Sequence, residues 1–307
     1  MKMKVILIAQ EEEFNEKQLK RLQEYTPVQW FKDKTADILN ISALSDDDEK
    51  ILALSPVPMG WELPKDLYKI LKNVKFINLA TTTYEYLDLA WCKKNNIQVT
   101  NIPHYATNAV AEQAILLMLS LTKKLPAQIK SNYTYAFTKD VLGIDIAGKK
   151  VGIIGLGDIG TRIAEMVSSL GMDVSYWSLR SRHDNYRYKS LDTLLRESDI
   201  VFPTVESSPN TYGLLNKEKL SQLKKTAIFV SLIDERIWDK EYLIEKVEEN
   251  ELAGLAFEGS EKVSDYKGNV MVLPQLAWFS QESLDKNIKG WADTIISCIQ
   301  DKPINLI

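Results

Sequence analysis

Val151-Gly152-Ile153-Ile154-Gly155-Leu156-Gly157-Asp158-Ile159-Gly160 is the stretch that decides the fold. A short apolar run enters three glycines spaced G-x-G-x-x-G, and an amphipathic segment from Thr161 to Leu170 follows. Strand pattern, glycine turn and helix pattern in that order make the Rossmann phosphate-binding unit. Gly155 allows a tight turn, Gly157 lets backbone approach a pyrophosphate, and Gly160 lets the helix settle on its strand. The helix start, at Asp158 and Ile159, offers N–H groups and the positive end of a dipole to phosphate. The spacing predicts a bound dinucleotide.

Outward from this turn, strand-like and helical runs alternate along the chain, the pattern of parallel sheets with crossover helices. The first part reads as strands at Val5–Ala9, Val28–Phe31, Ala36–Leu39, Ile51–Ala53 and Phe76–Leu79, with a helix around Asn15–Glu24. Asp46-Asp47-Asp48-Glu49 reads as a solvated acidic helix start, and Pro56, Pro58 and Gly60 mark a loop. The second part opens on a helix over Thr107–Lys123. Its strands are expected at Lys150–Ile154, Asp173–Trp177, Ile200–Phe202, Ala227–Ser231, Gly254–Glu258 and Asn269–Leu273. A last helix, about Gln281–Gln300, is expected to pack back on the first part.

The 307 residues suit about two domains. Apolar content of 45% and charged content of 26% belong to a globular protein with a sizeable core. A net charge of −4 without a long Lys/Arg cluster argues against a nucleic-acid partner. The apolar stretch Ala109–Leu121 is broken by Glu112 and Gln113 and is too short to span a membrane. Cys92 and Cys298 lie far apart, without metal spacing, and read as small buried apolar residues. No metal site and no disulfide framework is expected, which fits a reducing cytoplasm.

Several segments together resemble the D-isomer-specific 2-hydroxyacid dehydrogenases over nearly the whole chain. They are Thr82-Thr83-Tyr84-Glu85-Tyr86-Leu87-Asp88, Asn101-Ile102-Pro103-His104-Tyr105-Ala106-Thr107, Gly148-Lys149-Lys150-Val151 leading into the glycine turn, and Leu273-Pro274-Gln275-Leu276-Ala277-Trp278-Phe279. The resemblance implies an α/β fold in which a Rossmann doubly wound parallel sheet is inserted into a flavodoxin-like α/β substrate domain. The substrate domain would be residues 1–103 completed by 280–307, and the NAD(P)-binding domain 104–279. It also implies a small-molecule substrate met by Thr82, Thr83 and Tyr105, and a homodimer joined through the helix from Ala109 and the segment Leu125–Leu142.

An acidic residue ending the second nucleotide-domain strand is the mark of NAD selectivity. Here the strand reads Val174-Ser175-Tyr176-Trp177-Ser178, so Ser178 takes that place, with Arg180 and Arg182 just beyond. Loss of the carboxylate removes repulsion toward a 2′-phosphate, and a guanidinium can bind it. NADP is slightly favoured over NAD.

Members of the resembled family use an Arg for the substrate carboxylate, a His as acid/base and a Glu that orients the His. Ungapped counting from Ile228-Phe229-Val230-Ser231 puts the Arg position on Asp234, an anion that would repel a carboxylate. Arg236 would substitute only if its loop re-aimed. The His position falls on Gln275, whose amide cannot exchange a proton near neutral pH. Of the two histidines, His183 reads as a surface residue and His104 as a conceivable relocated acid/base. The Glu position is taken by Glu261 or, without a gap, Val263, and Glu258 stands where the family has an Asp near the nicotinamide. Glu206 replaces a usual Pro before Ser208-Pro209-Asn210-Thr211. Two readings stay open. One is an NAD(P)-dependent oxidoreductase with an altered substrate, acting on CH–OH or C=O groups. The other is an inactive NAD(P)-binding regulator or interaction protein, as some corepressors of the family are.

Overall fold

The computed structural model describes residues 3–32, 38–135, 137–262 and 265–307. The chain divides into two compact units, Met1–Tyr105 with Ser280–Ile307, and Ala106–Phe279.

The first unit holds five parallel strands, β1 (Lys4–Ile8), β2 (Val28–Phe31), β3 (Lys50–Leu54), β4 (Val74–Leu79) and β5 (Gln98–Thr100). Their order is β2-β1-β3-β4-β5, the flavodoxin-like arrangement. Alternation along β1 feeds two layers. Ile6 and Ile8 join Leu52, Ile77 and Leu67 on one face, while Val5 and Leu7 join Phe14, Leu22 and Trp291 on the other. The second face is closed by the helices Glu16–Gln23 and Gln281–Ile299. Asn15 caps the former and Ser280 the latter, each accepting a backbone N–H three residues on. Trp291 is fully buried, its indole N–H reaching the Asn78 carbonyl at 3.3 Å.

Two expectations for this unit need correction. Residues 46–49 start no helix: the Asp46 carboxylate is drawn to the ammonium groups of Lys4 and the fully buried Lys50, so the run bends and closes the start of β3. An acidic cluster read alone carries no sign of a cation 42 residues upstream. The strand expected at Ala36–Leu39 falls partly outside the described residues, and Ile38–Asn40 is a 3₁₀ turn.

The second unit has seven parallel strands, β6 (Lys150–Ile154), β7 (Asp173–Trp177), β8 (Arg187–Tyr188), β9 (Ile200–Pro203), β10 (Ile228–Ser231), β11 (Gly254–Glu258) and β12 (Val270–Leu273). Their order is β12-β11-β10-β9-β6-β7-β8, a doubly wound sheet with its switch point between β6 and β9. Val151 and Ile153 face the helices Thr107–Thr122 and Asp158–Ser169, and Ile154 faces the other layer with Leu194, Leu195 and Leu243. Gly152 is small because a Cβ there would stand 2.3 Å from the Ser198 hydroxyl and 2.9 Å from Leu194. No helix among the described residues is long and apolar enough to cross a membrane.

Candidate functional site

The glycine turn lies at the switch point of the seven-stranded sheet. Gly155 has φ +100, and a side chain there would press on the Val205 nitrogen at 2.9 Å. Its N–H donates to the Trp177 carbonyl at 2.7 Å, and its carbonyl accepts from the Thr204 hydroxyl. Gly160 is confined differently: a Cβ would lie 2.2 Å from that same carbonyl, so the helix Asp158–Ser169 approaches β6 only because this residue has none. Gly157 has an ordinary φ of −85 and nothing within 4 Å of a notional Cβ. The fold itself does not require glycine there. Together with the exposed Asp158 and the half-exposed Ile159, it opens the helix start to a phosphate-sized anion. The cradle fits a dinucleotide.

At the end of β7 the buried Ser178 hydroxyl accepts the Ser181 N–H at 3.1 Å, tightening the turn that follows. Arg182 curls over that turn: its guanidinium donates to the Ser181 carbonyl at 2.9 Å and lies 4.6 Å from the Tyr188 ring. Arg180 is exposed. Beyond it, His183 is half-buried, with its ring against Tyr186.

The loop after β10 departs from the bare anion expected at position 234. Asp234 caps the turn Glu235–Ile237, accepting the Arg236 backbone N–H at 2.8 Å. Its carboxylate also takes the Arg236 Nε at 2.8 Å and the Ser207 hydroxyl at 2.8 Å. The Arg236 guanidinium beside it, with that capping N–H and the Ser207 hydroxyl, holds the Asp234 carboxyl down at about 2. Arg236 in turn lies 4.5 Å from the Tyr212 ring. This patch is therefore an ion pair rather than an uncompensated negative charge, and the repulsion inferred from register alone is corrected. The signal was present in sequence: an Asp two residues before an Arg can fold back on it when it caps a turn. Ser207 and Tyr212 could not be found that way.

Glu258, at the end of β11, accepts the backbone N–H groups of Leu276 at 3.0 Å and Ala277 at 2.8 Å. Burial pushes its carboxyl above the usual range, while these N–H groups and the Gln113 amide oppose the shift. The side chain thereby ties the helix Thr107–Thr122 and β11 to the loop carrying Gln275, which is itself exposed. Glu261 is held low by its own and neighbouring backbone N–H groups and by Lys240, whose ammonium lies 3.1 Å away and also pairs with Glu235 at 2.9 Å. Val263 lies outside the described residues.

The remaining residues belong to the first unit. Thr82 donates its hydroxyl to the Ile102 carbonyl at 2.8 Å, and its own carbonyl accepts the Asn101 amide at 2.7 Å. Thr83 is exposed, and its carbonyl accepts the Thr81 hydroxyl at 2.7 Å. His104 is exposed in the left-handed region, φ 64. Tyr105 is largely sequestered, which pushes its phenol up to about 12. Among the described residues no group of three His, Cys, Asp or Glu side chains could hold a metal ion.

A family model described as D-isomer specific 2-hydroxyacid dehydrogenase, NAD binding domain, matches residues 115–271, just over half of the chain. The chain belongs to this family. A glyoxylate reductase of Thermofilum pendens is 32% identical over 197 residues, 61% of this chain and 58% of that relative. One from Pyrococcus horikoshii is 29% identical over 233 residues, 70% of each. Among solved structures, a glyoxylate reductase from Paecilomyes thermophila has TM-score 0.88 at 20% identity, over 100% of this chain and 99% of that one. An acyclic imino acid reductase in complex with NADPH and D-Arg has TM-score 0.85 at 24% identity, over 99% and 100%. At such identities the structures establish the shared fold. The 2-hydroxyacid dehydrogenase family is one of nicotinamide-dependent oxidoreductases, and this chain carries its NAD-binding domain.

Proposed function

We propose that this member of the family is an NAD(P)H-dependent oxidoreductase acting on a CH–OH or C=O group in a substrate other than the ordinary 2-hydroxy acids. The supporting observation is a complete dinucleotide cradle in the same unit as Gln275, an amide where family members keep a titrating imidazole. Gly157, Asp158 and Ile159 would hold the pyrophosphate, and Arg180 and Arg182 favour the 2′-phosphate of NADP. The nicotinamide supplies hydride chemistry when bound.

Each side chain is then left a narrower task. Glu258 fixes the loop bearing Gln275, whose amide can donate a hydrogen bond to a carbonyl oxygen without giving up a proton. Asp234 and Arg236 present a neutral, strongly polar pair able to exchange hydrogen bonds with a substrate. The candidate substrate contacts are Thr82, Thr83 and Tyr105, and the candidates for proton transfer are His104, Tyr105 and Glu261.

Purified protein with NADPH, followed at 340 nm against α-keto acids, aldehydes and imines, tests this reading. Turnover on a non-acid carbonyl or an imine, with feeble rates on glyoxylate and pyruvate, is the expected result. Brisk reduction of either keto acid would overturn it. Glu261 is bound to Lys240 rather than to an imidazole, and this favours one alternative: a noncatalytic NAD(P)-binding regulator. That alternative predicts coenzyme binding, a change of oligomeric state on binding and no turnover. A homodimer through the 125–142 segment belongs to both readings.

A further inference from the structure

We propose that the C-terminal edge of the five-stranded sheet carries a subsite for a protonated amino group, formed by Glu13, Trp61 and Tyr86. This inference rests on the redox reading with a changed substrate and narrows the substrate class to amine-bearing molecules.

In a sheet ordered β2-β1-β3-β4-β5, ligands bind outside the carboxyl ends of the strands where the order reverses, between β1 and β3. Glu13 stands in the loop leaving β1 and reaches across to the end of β3. One carboxylate oxygen accepts the Gln10 N–H at 2.9 Å and the other accepts the Ser55 hydroxyl. A carboxylate has about four lone-pair sites, so acceptor capacity remains on both oxygens. No lysine or arginine pairs with Glu13 among the described residues, whereas Asp234 in the other unit is neutralised by Arg236. Burial pushes the Glu13 carboxyl above the usual range, and a cation placed beside it would offset that penalty.

The loop leaving β3 supplies the second element. Gly60 and Trp61 are successive left-handed residues, φ 60 and φ 65, and the Trp61 N–H is held by the Pro56 carbonyl at 3.0 Å. A bulky aromatic residue in that region is strained. The conformation leaves Trp61 46% exposed and its ring edge-on to Tyr86, with centroids 6.0 Å apart and planes at 85°. Tyr86 is fixed by a 2.5 Å contact between its hydroxyl and that of Thr81, just beyond the end of β4. Through Ser55, Glu13 is tied to the start of the loop that the Pro56–Trp61 bond closes and that carries the Trp61 ring with its Tyr86 neighbour. A carboxylate without a counter-ion near an aromatic ring would select an ammonium ion over a neutral isostere.

The test uses the full chain labelled with 5-fluorotryptophan, with the Trp61 signal assigned from Trp61→Phe. Fluorine NMR then follows titration with n-butylammonium and with 1-butanol. A saturable shift of the Trp61 signal with the ammonium alone is expected, weakened at least tenfold in Glu13→Gln and at least threefold in Trp61→Leu, read by competition calorimetry. Equal responses to ammonium and alcohol, or wild-type affinity in Glu13→Gln, would overturn the proposal. NADPH affinity on the same samples separates the two ideas. Wild type that binds NADPH but ignores the ammonium removes the subsite alone, and ammonium binding without NADPH binding removes the redox reading alone.

Discussion

The three glycines of the turn look equivalent as letters and differ as residues. Gly155 needs a positive φ, Gly160 needs absence of volume, and Gly157 needs neither for folding. Substitutions should therefore separate. Gly155→Ala is expected to cost about 1–3 kcal/mol by chemical denaturation, because strain and overpacking coincide there. Gly157→Val should cost no more than about 1 kcal/mol, the effect of a poorer helix N-cap in otherwise open space, yet lose NADPH binding at least tenfold by calorimetry. Unchanged coenzyme affinity in Gly157→Val would remove the phosphate-cradle reading. Asp234 makes a second residue-scale prediction. Its carboxyl is depressed from an ordinary 3.8 to about 2, so the contribution of the Arg236 pair is present above the ordinary value and lost as pH falls through about 2. Denaturation between pH 5 and pH 2 should show a steeper loss of stability for wild type than for Asp234→Asn. Parallel curves would mean that the pair contributes nothing.

At the scale of elements, the loop 274–277 depends on one side chain reaching it from β11. Glu258→Ala would leave the N–H groups of Leu276 and Ala277 without their acceptor, at a cost of about 1–3 kcal/mol. Glu258→Gln keeps an acceptor oxygen and should recover most of it, and hydrogen exchange at Leu276 and Ala277 reports the difference. The strands of the nucleotide unit were legible because each is a short apolar run between turn signals. β6, β7 and β11 have the bounds the pattern predicts. The two-residue β8 was missed, since Arg187 and Tyr188 are both exposed and carry no apolar pattern. β5 is three residues long, with Gln98 and Thr100 polar and only Val99 apolar, and was missed for its length. The Asp46 run failed for the opposite reason: a local charge pattern was plain, but its cations arrive from β1 and β3.

For the whole molecule, binding to the folded state should raise thermal stability by mass action. NADPH at about 100 times its Kd corresponds to about 2.7 kcal/mol, measurable as a rise in Tm that Gly157→Val cuts at least in half. The segment proposed for dimer contact exposes Tyr135 at 87%, Phe137 at 95% and Leu142 at 68%, more apolar surface than a lone chain readily leaves in water. Tyr135→Glu with Phe137→Glu should halve the mass seen by light scattering. An unchanged mass would place the contact elsewhere.

Sequence by itself determined the α/β class, the order of most elements and the glycine turn, because these depend on periodicity and on spacing along one local stretch. The family resemblance was likewise carried by contiguous motifs. Only the tertiary structure decided which charges are spent. Asp234 is matched by Arg236, Asp46 by Lys4 and Lys50, and Glu261 by Lys240, while Glu13 has no such partner among the described residues. The reason is electrostatic: whether a carboxylate repels, binds or merely holds a loop depends on what stands within a few ångströms of it. For some of these carboxylates folding brings the neighbour from a distant part of the chain, as it brings Lys4 to Asp46 and Lys240 to Glu261.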